Sequence, residues 1–172
     1  MIPEFLIFGQ LTREYLLPPT GSPRLDVPGG SLLYAAAGLR IWESSIGLVG
    51  RVGADYPREW LNECISRGFD TSGIKILPRT LDVRDFMSYS ESFEVSRINP
   101  VTQFARREMT FPKSLMGYQP LEDRKSEDVS QLLVTDIPER YMTARAALLC
   151  SMGLVTQTQL IAGMKLGDIH TF

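Results

Sequence analysis

Val27-Pro-Gly-Gly-Ser-Leu-Leu-Tyr-Ala-Ala-Ala-Gly-Leu-Arg-Ile-Trp-Glu-Ser-Ser-Ile-Gly-Leu-Val-Gly-Arg-Val-Gly-Ala-Asp55 is the stretch on which the fold turns. Its glycine pair, Gly29-Gly30, opens a small-residue helix read from Ser31 to about Glu43, with Ser31 placed to cap the N–H groups of the first turn. Leu32, Leu33, Ala36, Leu39 and Ile41 fall broadly on one side, so this helix is expected to pack against an apolar neighbour. Ala35-Ala36-Ala37-Gly38 would let that neighbour come close. The apolar, glycine-bounded run Ile46 to Val52 reads as a buried strand. A helix followed by a buried strand is the grammar of an α/β sheet.

Working outward, Phe5 to Phe8 reads as a first buried strand, and Pro18-Pro19-Thr-Gly-Ser-Pro23 as turn chemistry. Pro57 suits the first turn of a second helix with Trp60, Leu61, Cys64 and Ile65 inward and Gly68 just past its end. Ile74 to Leu77 reads as a short strand, and Val83 to Ser90 has strand-like composition. From Glu91 to Lys125 no period emerges, although Phe104, Met109, Phe111, Met116 and Tyr118 point to ordered packing. Arg106-Arg107 reads either as solvated charge or as a phosphate clamp.

Val129 to Val134 is open between a helical turn and a strand, and Asp136 to Met142 reads as a short helix capped near Asp136. Ala146 to Cys150 is a buried strand, and Thr156-Gln-Thr-Gln159 has the form of a capping box opening a helix to about Leu166, with Leu160, Ile161 and Met164 inward. Ile169 to Phe172 reads as the start of another strand.

A length of 172 residues suits one core, so one domain is expected. With 22% charged residues and a net charge of -2, nothing favours nucleic acid or an anionic membrane. No apolar run is long enough to span a bilayer, and the first residues lack the basic region and cleavage site of a signal peptide. A cytoplasmic location with Cys64 and Cys150 reduced is therefore expected. One histidine, His170, and no Cys/His cluster argue against zinc. The series Gly47-x-x-Gly50-x-x-Gly53 fails as a dinucleotide motif, because it lies in and just after a strand instead of opening a helix.

Gly29-Gly30, the alanine-rich helix and Val49-Gly-Arg-Val-Gly-Ala-Asp55 together resemble the N-terminal signature of the ribokinase-like (pfkB) carbohydrate kinases. Gly68-Phe-Asp-Thr-Ser-Gly-Ile74 is similar to that family's Gly-Val-Asp-Thr-Ser-x-Ile. The resemblance implies an α/β fold: a three-layer αβα sandwich, Rossmann-like, with a mostly parallel sheet, a small β lid at about residues 10–28 and 80–111, and an incomplete C-terminal end. Residues 1–172 would form one partial domain. It also implies a substrate-binding set of Thr12, Glu14, Gly29, Gly30, Ser31 and Tyr34, with Glu14, the backbone of Gly29-Gly30 and Tyr34 facing one cleft beside the lid.

In that family the first strand ends in Gly-x-x-Asn-x-Asp, whose side chains hold sugar hydroxyls. Gly9, Thr12 and Glu14 stand at those positions, and Glu14 is open between a hydroxyl acceptor and a solvated acid. Gly29-Gly30 is likewise open between a ligand-approaching turn and a plain helix start. Tyr34, where the family has Asn, can stack on a ring and donate one O–H. The ligand implied is a small sugar or nucleoside.

The family's ATP site, its Mg2+ and its catalytic Gly-Ala-Gly-Asp motif belong to a C-terminal half without counterpart here. No catalytic residue is therefore named in this chain, and the chain by itself is expected to be inactive. The alternatives are a non-catalytic binding module that keeps half the fold and, less well supported, a different α/β enzyme. A homodimer through the lid or an exposed sheet edge is the assembly expected.

Overall fold

The computed structural model describes residues 2–120 and 131–172. In chain order the elements are β1 (Phe5–Phe8), β2 (Thr12–Leu17), β3 (Arg24–Gly29), α1 (Ser31–Leu39), β4 (Ile46–Val52), α2 (Arg58–Ser66), β5 (Asp70–Ile76), β6 (Arg84–Tyr89), β7 (Val95–Ser96), α3 (Pro100–Ala105), β8 (Ala146–Leu149) and α4 (Leu154–Met164). The chain divides into two compact units: residues 1–11, 29–82 and 127–172 form one, and 12–28 and 83–126 the other.

The first unit holds a four-stranded sheet in the order β5-β4-β1-β8. Every pairing is parallel, with Phe5 opposite both Ile46 and Ala146. A parallel sheet needs cover on both faces, and the strand residues supply apolar side chains to each. Leu6, Phe8 and Val49 pack with Leu160 and Met164 of α4, Tyr141 and Ile169. On the other face Gly50 faces Leu32 of α1: a Cβ there would stand 3.4 Å from Leu32 Cδ1. Helices thus cover both faces, the α/β sandwich expected.

The glycine motifs of this unit turn out to be packing devices. Gly68, at φ 87°, follows the last turn of α2 in the left-handed conformation that favours glycine. A Cβ on Gly73 would stand 2.6 Å from the Leu48 carbonyl oxygen and 2.9 Å from Tyr141 Cε2. The Ala54 amide donates to the Arg79 carbonyl (2.9 Å) and Asp55 Oδ1 accepts from the Leu81 amide (3.0 Å), so Val52-Gly-Ala-Asp55 latches the loop after β5. Gly47 and Gly50 lie inside β4, as their strand context required.

Behind the sheet, Asp136 is the anchor of the segment that follows residue 131. Its fully buried carboxylate accepts from Arg51 Nε at 2.6 Å, Lys75 Nζ at 2.8 Å and the Leu133 amide at 2.8 Å. Burial pushes this carboxyl up, but the bonds from Arg51, Lys75 and Leu133 outweigh it, and the group lies below its ordinary value.

Several sequence expectations are corrected. Helix α1 ends at Leu39, four residues short of Glu43, and Ile41 is exposed, as is Ile65 on α2. Gly38 faces open space and Ala37 is exposed, while Ala36 is buried. α4 starts at Leu154 after Gly153, which places Thr156 inside the helix, bonded to Gln131 Oε1 instead of capping it. Leu148 is half-exposed on the edge strand β8.

Asp136 to Met142 forms two 3-10 turns, Val134–Asp136 and Glu139–Thr143, with Pro138 between them denying a continuous helix its amide. Residues 169–172 form no strand, although the Thr171 carbonyl accepts from the Ala147 amide at 2.9 Å. Of the stretch 129–134, Val129 and Ser130 lie outside the described residues.

The second unit is a sheet in the order β3-β2-β6-β7, with β2 and β6 parallel and β6 and β7 antiparallel. Its core is aromatic: Tyr15, Phe86 and Phe104 are fully buried with Leu17 and Leu115, and Met109, Phe111 and Tyr118 pack against them. Of the five residues that pointed to ordered packing, Met116 alone is exposed. Arg13 holds Asp26 through paired bonds of 2.8 and 2.7 Å, joining β2 to β3.

Candidate functional site

The first two candidates lie on one strand. Thr12 and Glu14 are two residues apart on β2, so their side chains share a face, while Tyr15 and Leu17 enter the aromatic core on the other. Thr12 Oγ1 donates to Glu14 Oε1 at 3.2 Å, and Glu14 is 2% exposed. That burial removes the solvated-acid alternative. A carboxyl group held away from water needs hydrogen-bond partners around it, and Thr12 is one of them.

The other candidates follow in sequence in the first unit. Gly29 ends β3 and is buried. Gly30 precedes α1 at φ 99° and ψ 158°, a conformation essentially restricted to glycine. That geometry corrects the expected cap: Gly30 holds the N-cap position, and no side chain caps the helix. Ser31 is the first helical residue, and its hydroxyl instead accepts from the Gln10 amide at 3.3 Å. The Leu32 amide is taken by the Gln10 carbonyl at 3.2 Å. These two bonds tie the residues after β1 to the start of α1.

Space there is tight. A Cβ on Gly9 would stand 3.0 Å from both the Leu32 nitrogen and the Ser31 hydroxyl, and 3.1 Å from Cys150 Cβ. Burial raises the Cys150 thiol above its ordinary value, so it is a poor nucleophile at neutral pH. Tyr34, on the first turn of α1, is 59% exposed and presents its ring to solvent. The six candidates thus form two groups in different units: Thr12 with Glu14, and Gly29, Gly30 and Ser31 with Tyr34.

Two residues beside Glu14 were not singled out in the sequence. Asp85 is its register partner on β6, and Arg97 Nε lies 3.3 Å from Asp85 Oδ1. Arg106-Arg107 resolves in part: Arg107 braces the second unit through the Tyr89 carbonyl (2.9 Å) and Gln103, while Arg106 is exposed. Among the described residues no group of three or more His, Cys, Asp or Glu can hold a metal ion. No helix among them is long and apolar enough to cross a membrane.

No protein-family model matches the chain. A cytidine kinase of Thermococcus kodakarensis is 32% identical over 93 residues, which make up 54% of this chain and 32% of that kinase. The nucleoside kinase of Burkholderia thailandensis, solved in complex with inosine, superposes with a TM-score of 0.61 at 10% identity, over 97% of this chain and 51% of that one. An E. coli protein assigned as a ribokinase II, in complex with ATP and Mg2+, does so with a TM-score of 0.59 at 14% identity, over 98% and 52%.

The fold is thus that of the ribokinase-like kinases, and the resemblance read from the motifs holds in three dimensions. The proteins this chain resembles are sugar and nucleoside kinases. The chain spans about half the length of the solved structures it matches.

Proposed function

We propose that this chain is the substrate-binding portion of a pfkB-type kinase that transfers the γ-phosphate of ATP to a hydroxyl of a sugar or nucleoside. The observation that carries the reading is the buried Glu14 carboxylate on β2, with Thr12 bonded to it. Hydroxyls of the substrate donate to Glu14 in charge-assisted bonds, stronger than bonds between neutral groups. Gly30 keeps the entrance to α1 free of a side chain, and the exposed Tyr34 ring offers a surface for stacking.

ATP and Mg2+ belong, in this proposal, to the whole protein, where they supply the phosphoryl group and neutralise its charge. The residues described here hold and orient the acceptor; they are not assigned to the donor. A homodimer through the lid or the β8 edge, where Leu148 is half-exposed, is part of the same proposal and is read by light scattering.

The test is calorimetric titration of a panel of sugars and nucleosides into the chain and into Glu14→Gln. Losing one charge-assisted acceptor costs about 1.5–3 kcal/mol, which is roughly a tenfold to hundredfold loss of affinity. Affinity unchanged in Glu14→Gln, with the fold intact by circular dichroism, would overturn the reading.

A further inference from the structure

The arginine pair Arg106-Arg107 follows α3 directly, and both residues line a cavity of about 660 Å3 within the second unit. Phe104 anchors that turn: its ring is fully buried in the aromatic core, and its carbonyl accepts from the Arg107 amide at 3.1 Å. Ser88 on β6 lines the cavity from the sheet. Side chains alternate along a strand, so Ser88 shares a face with Phe86, while Asp85 and its register partner Glu14 stand on the other. The cavity therefore lies on the face turned away from Glu14.

Its lining fixes hydrogen-bond donors in place. Arg107 donates from Nη1 to the Gln103 carbonyl at 3.2 Å and to Gln103 Oε1 at 3.3 Å, and from Nη2 to the Tyr89 carbonyl at 2.9 Å. Ser88 Oγ donates to the same Gln103 Oε1 at 3.2 Å. A guanidinium only donates, so the amide oxygen of Gln103 must face Arg107, and the amide nitrogen with its two N–H groups is turned away from it. Among the described residues that nitrogen has no partner, and neither has the Arg106 guanidinium or Nε of Arg107. Glu91 and Glu94 line the same cavity, yet among the described residues neither forms an ion pair with either arginine.

Bracing accounts for one side of the Arg107 guanidinium; it does not account for Arg106 or for the outward amide of Gln103. Three donor groups stand at one cavity without an acceptor between them, which calls for an anion. Arginine forks hold carboxylate and phosphate oxygens in charge-assisted bonds. A carboxylate has two oxygens, whereas a phosphomonoester has three strong acceptor oxygens, one for each donor group here. Glu91 and Glu94 supply acceptors for hydroxyl groups elsewhere on the same molecule. Small-molecule sites run to roughly 300–1,000 Å3, and this cavity falls within that range.

We propose that the cavity binds a small phosphomonoester with a hydroxyl-bearing body, its phosphate on Arg106, Arg107 and Gln103 and its hydroxyls on Glu91 and Glu94. The site does not depend on the reading of Glu14.

The experiment is calorimetric titration of ribose 5-phosphate, cytidine 5′-monophosphate and inorganic phosphate, with ribose and cytidine as uncharged controls, into the wild-type chain and Arg106→Glu. Arg106 is exposed, so the exchange leaves the fold intact, which circular dichroism checks. Both organic phosphates are expected to bind the wild type more tightly than inorganic phosphate does. Arg106→Glu is expected to bind them about tenfold or more weakly, and added salt to weaken binding to the wild type. Amide NMR shifts on titration are expected at Ser88, Gln103, Arg106 and Arg107.

The proposal is overturned if neither organic phosphate binds, if Arg106→Glu keeps the wild-type affinity, or if the shifts are confined to Thr12, Glu14 and their neighbours. Inorganic phosphate bound as tightly as the organic phosphates would mark a plain anion site and overturn the assignment to a phosphomonoester. None of these results decides the role of Glu14, whose own test uses unphosphorylated sugars and nucleosides.

Discussion

Arg51 on β4 donates from Nε to Asp136 Oδ2 at 2.6 Å, and both side chains are almost wholly withdrawn from water. This bond fixes the chain after residue 131 to the middle of the parallel sheet, from which β8 and α4 then continue. Removing one member leaves the other charge buried without its partner, a change that typically costs ~3–5 kcal/mol. Asp136→Asn is therefore expected to lower the urea midpoint sharply. A midpoint within error of the wild type would show that the pair is dispensable.

The same carboxyl predicts acid sensitivity. Its folded-state pKa lies below the ordinary value of 3.8, so its contribution is complete well above that value and is lost as pH falls through the folded pKa. Asp26, held down chiefly by Arg13, acts in the same direction. The urea midpoint should hold from neutrality to about pH 5 and drop below about pH 4, with the drop reduced in Asp136→Asn. A midpoint that rises on acidification contradicts this.

Gly73 admits no side chain. A Cβ would press on the Leu48 carbonyl oxygen at 2.6 Å, and backbone yields less readily than a flexible side chain. Gly73→Ala is expected to lose ~1–3 kcal/mol of stability, measured by denaturant titration. Wild-type stability would mean that β4 and β5 separate without cost.

Phe104 lies in the aromatic core of the second unit, tilted against Phe86 at 6.0 Å and edge-on to Phe111 at 5.6 Å. Phe104→Ala should cost ~3–5 kcal/mol. Hydrogen exchange should locate that loss in β2 and β6, with β1 and β4 less affected. Uniform loosening across both units would contradict a separate core in the second unit.

How much of this was legible in the sequence follows from where the signals lay. The strands at Phe5, Ile46, Arg84 and Ala146 announce themselves as short apolar or strand-like runs, and the helix start after Gly29-Gly30 is marked by its glycines. The stretch from Glu91 to Pro120 stayed opaque because its elements are a two-residue strand, a six-residue helix and a three-residue 3-10 turn, too short to show a period. Glu14 was visible through a motif. Its pairing with Asp85 was not, because a register partner 71 positions away leaves no local pattern. Ser31 misled because a serine after two glycines looks like a cap, whereas the backbone of Gly30 takes that position.

A coupled ADP-release assay, run over one panel of sugars and nucleosides on the 172-residue chain and on a chain extended to the natural end of its reading frame, separates acceptor binding from phosphoryl transfer. In-line transfer needs donor and acceptor held together, and the residues described here are proposed to hold the acceptor alone. The expected result is binding without turnover by the 172-residue chain, and turnover by the extended chain that Glu14→Gln reduces by about tenfold or more. Turnover by the 172-residue chain itself would contradict that division of labour.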